Sequence, residues 1–321
     1  MNLDQLKSFV TVAQLGNFTR AADELHLAQP SLSRQISALE HDLGAALLHR
    51  SRSGSTLTAA GESLLPLARR MLADADSVRS ELDELAGLRR GRVRLGATPT
   101  LCVSVVADGL SLFHGAHPGV ELHISEQGSR RLLEELAAGE LDFALITTSD
   151  AAAADRFAVT PLLVEELVVI SSAQAPPIAS GDGIRLEHVA RLPQVVFRST
   201  YDLRATTDAA FQAAGVTPDV IIEGVEMDAV LRFVERDIGV AIVPSTALID
   251  RPGLRATRLV DPTLTRTISI ARMADIAPSA AAQSMERTIT RAATVLASRP
   301  GSTMRLAPVH GVVETAPPWR A

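Results

Sequence analysis

Two groups of residues in this chain have types and spacings that can do chemistry. The first lies in the run QPSLSRQ, where Gln29, Pro30, Ser31, Ser33 and Arg34 place an amide, hydroxyls and a guanidinium beside an apolar stripe. Such groups donate to and accept from base edges and phosphates in a DNA groove. Thr19 before them and Arg50 and Arg52 after them carry groups suited to phosphate. The second group sits where short apolar runs give way to helical patterns: Thr98 and Thr100 around Pro99, Ser129 after Gly128, and Arg198, Ser199 and Thr200 at the end of QVVFR. Met227, near the start of another helical pattern, is a weaker member. Hydroxyls and helix N-termini beyond the carboxyl ends of strands form a crevice suited to a small organic anion. The same serines and threonines are also ordinary helix caps, and for each of them that reading stays open.

Periodicity shows the elements that must position the first group. Thr19 is placed to cap a short helix with Ala21, Ala22 and Leu25 on one face. After a turn through His26, Leu27 and Ala28, Pro30 suits the first turn of a second helix, along which Leu32, Ile36, Leu39 and Leu43 form a buried stripe. Gly44 ends that helix, and Arg50 to Thr58 around Gly54 reads as a two-stranded wing. An ordinary three-helix packing unit with a solvated polar face has the same pattern, so residue identity must separate the two. The run LHLAQPSLSRQISALEHDLGAALLHR, followed by LTAAG, closely resembles the winged helix-turn-helix of LysR-type transcriptional regulators, with AQPSLSRQI as the recognition helix. The resemblance is dense over residues 1–60 and continues as an order of elements to Arg299. Leu48 stands where the family usually has an aromatic residue, and Asp237 where it usually has a glycine at a helix C-terminus.

Composition excludes several classes. The chain has 321 residues, 46% of them hydrophobic, enough for two or three domains with substantial cores. A net charge of −6 argues against indiscriminate nucleic-acid binding, so DNA contact is expected to be local. Between Thr19 and Thr58, Arg20, Arg34, Arg50 and Arg52 are balanced by Asp23, Glu24, Glu40 and Asp42, and one copy should grip phosphate weakly. Lys7 is the only lysine, which removes P-loop and Schiff-base chemistry. A single cysteine, Cys102, fits a small buried group in a reducing cytoplasm. The N-terminus shows no export signal, and no run is long enough to span a membrane. No metal, cofactor or catalytic motif is found, and the chain is expected not to be an enzyme.

From Ala60 to Gly87 the pattern is one long helix. Leu64, Ala68, Met71, Ala75, Val78, Leu82 and Leu85 alternate at spacings of four and three, a seam suited to pairing with a second copy. Packing against its own domain is the alternative reading. The resemblance implies a homodimer here, assembling further into a homotetramer.

The fold class that follows is α/β: an N-terminal all-α winged helix-turn-helix over 1–60, a linker helix over 61–89, and a two-lobed effector domain over 90–299. Lobe I takes 90–163 and 267–299, and lobe II takes 164–266, with LLVEELVVIS and TRTISIARM crossing between them. The order resembles the family's effector domain, itself similar to periplasmic solute-binding proteins of type 2, where ligand lies between the lobes. Thr98, Thr100 and Ser129 match pocket positions of that family. The segment 300–321 lacks periodicity and reads as a disordered tail. The partners implied are double-stranded DNA, a small anionic effector, further copies of the chain and RNA polymerase. Two rivals remain, a regulator whose cleft is vestigial and, lacking an export signal, a solute-binding module.

Overall fold

The computed structural model describes residues 1–51, 54–84, 91–148, 156–179, 181, 183–199, 201–299 and 303–308. The head contains α1 (Leu3–Leu15), α2 (Phe18–Glu24), α3 (Gln29–Leu43) and a wing of β1 (Leu48–Ser51) and β2 (Gly54–Leu57). A capping box starts α1: Asn2 Oδ1 accepts from Gln5 N–H, and Gln5 Oε1 accepts from Asn2 N–H, both at 2.9 Å. Asn17, and not Thr19, caps α2, because its carboxamide accepts from the N–H groups of Thr19 and Arg20. Thr19 therefore lies inside the first turn, exposed.

Leu6, Phe9, Val12, Ala21, Ala22, Leu32, Ile36 and Leu39 are essentially sealed from water and form the head core. The stripe of α3 ends one turn earlier than its spacing suggests, since Leu43 is 41% exposed beside the helix end. The turn between α2 and α3 runs through His26 at φ 53°, and Leu27 N–H returns to Ala22 O at 2.8 Å. Gly54 is obligatory in the wing: a Cβ there would lie 2.6 Å from Gly16 O, which already accepts from Ser55 N–H.

Helix α4 (Ala59–Glu84) grows out of the head. Thr58 Oγ1 accepts from Gly61 N–H at 3.0 Å and donates to Ala46 O at 2.6 Å, fixing the helix start to the segment between α3 and β1. The expected seam divides in two. Ala68 is fully buried in the head core with Leu64, Leu65 and Leu72 packed beside it, so this half serves its own chain. Met71 and Val78 are 40% and 58% exposed and line up with Leu67, at 54%, while Ala75 is half-buried. Leu85 and the side chain of Leu82 lie outside the described residues.

The remainder alternates strands and helices: β3 (Gly91–Ala97), α5 (Pro99–Leu101), a π-helical turn (Cys102–Val106), α6 (Ala107–Ala116), β4 (Val120–Glu126), α7 (Ser129–Ala137) and β5 (Phe143–Thr148). Then follow β6 (Phe157–Ser172), β7 (Ile184–Arg185), α8 (Leu186–Val189), β8 (Gln194–Phe197), α9 (Asp202–Ala213), β9 (Val220–Val225) and α10 (Met227–Glu235). Last come β10 (Ala241–Pro244), a 3₁₀ turn (Ser245–Leu248), β11 (Leu254–Val260), β12 (Thr265–Met273), α11 (Ala280–Ala297) and β13 (Met304–Leu306).

The large sheet runs β4-β3-β5-β12-β6-β11-β7, with β10 and β13 also on β6. Strand β3 pairs in parallel with β4 and β5, and β12 joins antiparallel between β5 and β6. Two cores result. One gathers β3, β5, Leu162, Leu163, Ile268 and α11, and the other gathers Leu167 to Ile170, α10 and β10. Strand β6 passes from one to the other, pairing with β12 in its first half and with β10 and β11 in its second. The tail departs from expectation: Thr303 O accepts from Glu166 N–H at 3.0 Å, Ala307 N–H donates to Leu162 O at 3.0 Å, and β13 lies along β6 between them. Residues 300–302 and 309–321 lie outside the described residues.

Candidate functional site: a nucleic-acid interface and an interlobe cleft

On the outer face of α3, Gln29, Pro30 and Arg34 are exposed, and Ser31 and Ser33 are half-buried. Arg34 has no hydrogen-bond or ion-pair partner among the described residues, so its guanidinium is free for a groove. Gln35 turns inward and accepts from Ser8 Oγ of α1. Arg50 behaves differently from a free phosphate ligand. Its Nη1 donates to Ser33 Oγ at 2.9 Å and its Nη2 to Ser37 Oγ at 3.3 Å, with the Glu40 carboxylate 3.8 Å away. The guanidinium also lies 4.8 Å from the centre of the Phe18 ring. Arg50 thus fastens the wing to α3 and α2 while staying partly exposed. Arg52 lies outside the described residues.

Glu40 Oε1 accepts from Leu47 N–H at 2.9 Å and Leu48 N–H at 3.3 Å, so this acid faces the chain and not solvent. Its other oxygen lies 3.8 Å from Arg50, so Glu40 pairs with the arginine that fastens the wing.

The second site is a cavity of about 760 Å³ between the lobes, within the range of small-molecule pockets. Thr98 and Thr100 line it, Ser129 is buried between the lining residues Gly128 and Arg130, and none of the three caps a helix with its side chain. Thr98 Oγ1 is buried without a hydrogen-bond partner among the described residues. Thr100 Oγ1 accepts from Arg266 Nη2 at 2.8 Å. Ser129 Oγ accepts from Thr147 N–H at 3.1 Å, joining α7 to the end of β5. Arg198 faces the cleft but is paired with Glu226. Ser199 is exposed and takes no part in the wall, Thr200 lies outside the described residues, and Met227 is only 8% exposed, packed into the lobe II core. Met227 is thus a core residue: its place at the first turn of an amphipathic helix turns it away from the cleft.

Sequence reasoning missed the floor of the cleft. Glu165 on β6 is wholly buried, and its carboxylate accepts from Arg266 Nε at 2.8 Å, Thr246 N–H at 2.7 Å and Ser245 Oγ at 3.2 Å. A charge inside the apolar run LLVEELVVIS demands a partner, and that was the available signal. Arg266 uses Nε and Nη2 in this network, and Nη1 carries no hydrogen bond among the described residues. Tyr201 and Asp202 were also missed. Tyr201 stacks on Phe197 with ring centres 5.0 Å apart, and burial raises its phenol pKa above the usual value. Burial, reinforced by Glu126, pushes the Cys102 thiol up to about 12, so it stays protonated and poorly nucleophilic.

The two sites are physically joined. Arg69 and Arg70 of α4 pair with Glu140 at 3.0 Å and Asp275 at 2.6 Å, both in lobe I. Among the described residues no cluster of metal-ligating side chains occurs, and no helix is long and apolar enough to cross a membrane.

Comparison with known proteins agrees with this division. Residues 3–62 match the family described as bacterial regulatory helix-turn-helix protein, lysR family, and residues 86–294 match the LysR substrate binding domain. A probable nitrogen assimilation transcriptional activator from Synechococcus elongatus is 30% identical over 273 residues, covering 84% of this chain and 88% of its own. A full-length OxyR variant from Pseudomonas aeruginosa is similar in fold, with a TM-score of 0.72 at 24% identity over 92% of this chain and 95% of that one. CbnR solved in complex with its target DNA has a TM-score of 0.65 at 23% identity, over 91% of this chain and 100% of that one.

Proposed function

The chain belongs to the LysR family of DNA-binding transcriptional regulators, and we propose that it reads an operator through α3 under the control of a small anionic organic effector held between its lobes. Gln29, Pro30, Ser31, Ser33 and Arg34 meet the major groove, while Thr19, Arg50 and Arg52 lie near phosphate, with Arg50 also fixing the wing. That CbnR, similar in fold, was solved in complex with its target DNA supports a DNA-reading role for the head.

One observation carries the anionic reading: Arg266 is held rigidly by Glu165 and Thr100 with Nη1 uncommitted at the cavity floor. A guanidinium with two nitrogens pinned presents the third in a fixed direction, which favours a carboxylate. Thr98, Thr100 and Ser129 supply neutral contacts around it. Effector binding shifts the lobes relative to each other, and the Arg69–Glu140 and Arg70–Asp275 pairs pass lobe I's position to α4. Two copies pair through the exposed line Leu67, Met71 and Val78, and dimers assemble into tetramers that bend DNA and contact RNA polymerase.

Calorimetric titration with a panel of organic acids tests the sensor. Saturable binding lost in Thr100→Ala is the expected result. The second reading, a vestigial cleft, is favoured by the pairing of Arg198 with Glu226, and silence across the whole panel would establish it.

A further inference from the structure

The N-terminus of α7 already holds an anion, and that anion belongs to the protein. Ser129 N–H donates to Asp202 Oδ2 at 3.4 Å, from lobe I to lobe II. Among the described residues nothing else serves that N–H: the Ser129 hydroxyl is committed to Thr147, and the N-cap is Gly128, which has no side chain. Helix α7 has nine residues, enough for its terminus to favour negative charge. Thr98 lines the same cavity, is 7% exposed, and keeps a hydroxyl with no partner among the described residues. A buried hydroxyl in that state points to a ligand atom that satisfies it. Arg130, in the first turn of α7, also lines the cavity and is unpaired among the described residues.

We propose that Asp202 is a built-in competitor for the effector, occupying its anion subsite when the cleft is empty and tying the lobes together there. The proposal rests on the anionic-effector reading. An arriving carboxylate takes the Ser129 N–H and the Thr98 hydroxyl and releases Asp202. A monoanion only exchanges one carboxylate for another, so useful affinity needs a second acidic arm. Arg266 Nη1 receives that arm, which makes the ligand class a small dicarboxylate. Asp202 therefore sets both the affinity and the charge selectivity of the cleft.

The full-length protein and its Asp202→Asn and Asp202→Ala variants are titrated calorimetrically with acetate, succinate, glutarate and adipate, and amide exchange is followed over residues 128–131. Expected are tighter dicarboxylate binding in both variants, by roughly tenfold, measurable acetate binding only in the variants, and faster exchange at Ser129 without ligand. Dicarboxylate affinity that is unchanged or weaker in both variants overturns the competitor role and leaves the anionic effector standing. Absence of binding by every form overturns both, and faster exchange in that case reduces Asp202 to a strap between lobes.

Discussion

Arg50 of the wing donates to Ser33 Oγ of the recognition helix at 2.9 Å. Two residues that the sequence presents as separate DNA contacts are therefore tied directly to each other. The angle between wing and α3 depends on this bond and on the Phe18 ring beneath the same guanidinium.

Arg50→Ala is expected to lower head stability by on the order of 1 kcal/mol, from hydrogen bonds and a cation–π contact at a partly exposed site. Thermal unfolding measures the loss. Arg50→Lys keeps the charge but not the fork, so it should recover little of the wing geometry; full recovery of stability and DNA affinity by lysine would reduce Arg50 to a plain phosphate contact.

Arg34→Ala should erode discrimination between operator and random DNA by about 1–3 kcal/mol, because an unpaired guanidinium at the groove face reads base edges. Competition binding against both DNAs checks this. Equal loss on the two would move Arg34 to the phosphate backbone.

The Glu165–Arg266 pair gives an asymmetric prediction. Arg266→Met strands a wholly buried carboxylate and should cost about 3–5 kcal/mol of unfolding free energy, whereas Glu165→Gln combined with Arg266→Met should cost clearly less. Denaturant unfolding of the single and double variants reads the difference. Similar losses for both would mean that packing, and not the charge, dominates the floor.

Cys102 should resist alkylation in the native protein at pH 8 and react on unfolding, since its thiol is raised from 9.0 to about 12. The folded state favours the protonated form, so the stability contributed by this group is intact below pH 9 and is lost as pH rises towards 12. Alkylation at the rate of free cysteine would contradict this.

Asp237 sits at φ 58°, the left-handed conformation that its place after α10 suggested. Asp237→Gly removes the Cβ cost and should stabilise lobe II by up to about 1 kcal/mol, visible as a raised melting temperature. A lowered one would show that the carboxylate makes a contact worth more than the strain.

How legible these features were follows from how local their causes are. The helices of the head, the crossover role of LLVEELVVIS and the positive φ at Asp237 each depend on periodicity or on a single residue, and the sequence displays both. Thr19 was displaced as a cap by Asn17, two residues earlier and equally able to accept. Met227 failed as a cleft residue because a helix start specifies position along the chain but not which way the helix face turns, and Ser199 because it lies in the exposed turn before α9, whose N-cap is Tyr201. Arg266 was hidden for the opposite reason: it meets Glu165 and Thr100 across 101 and 166 residues of chain. The strand at Met304–Leu306 is too short to show any period, and only the open edge of β6 gives it a place.

The burial of Ala68 within the head core also fixes where this protein can be cut and rejoined. A chimera grafted at residue 60 would sever Leu64, Ala68 and Leu72 from the surface they cover and leave an unstable reading head. A junction beyond Leu72 carries the whole folding unit, so the exchangeable module for building regulators of new specificity is longer than the DNA-reading motif itself.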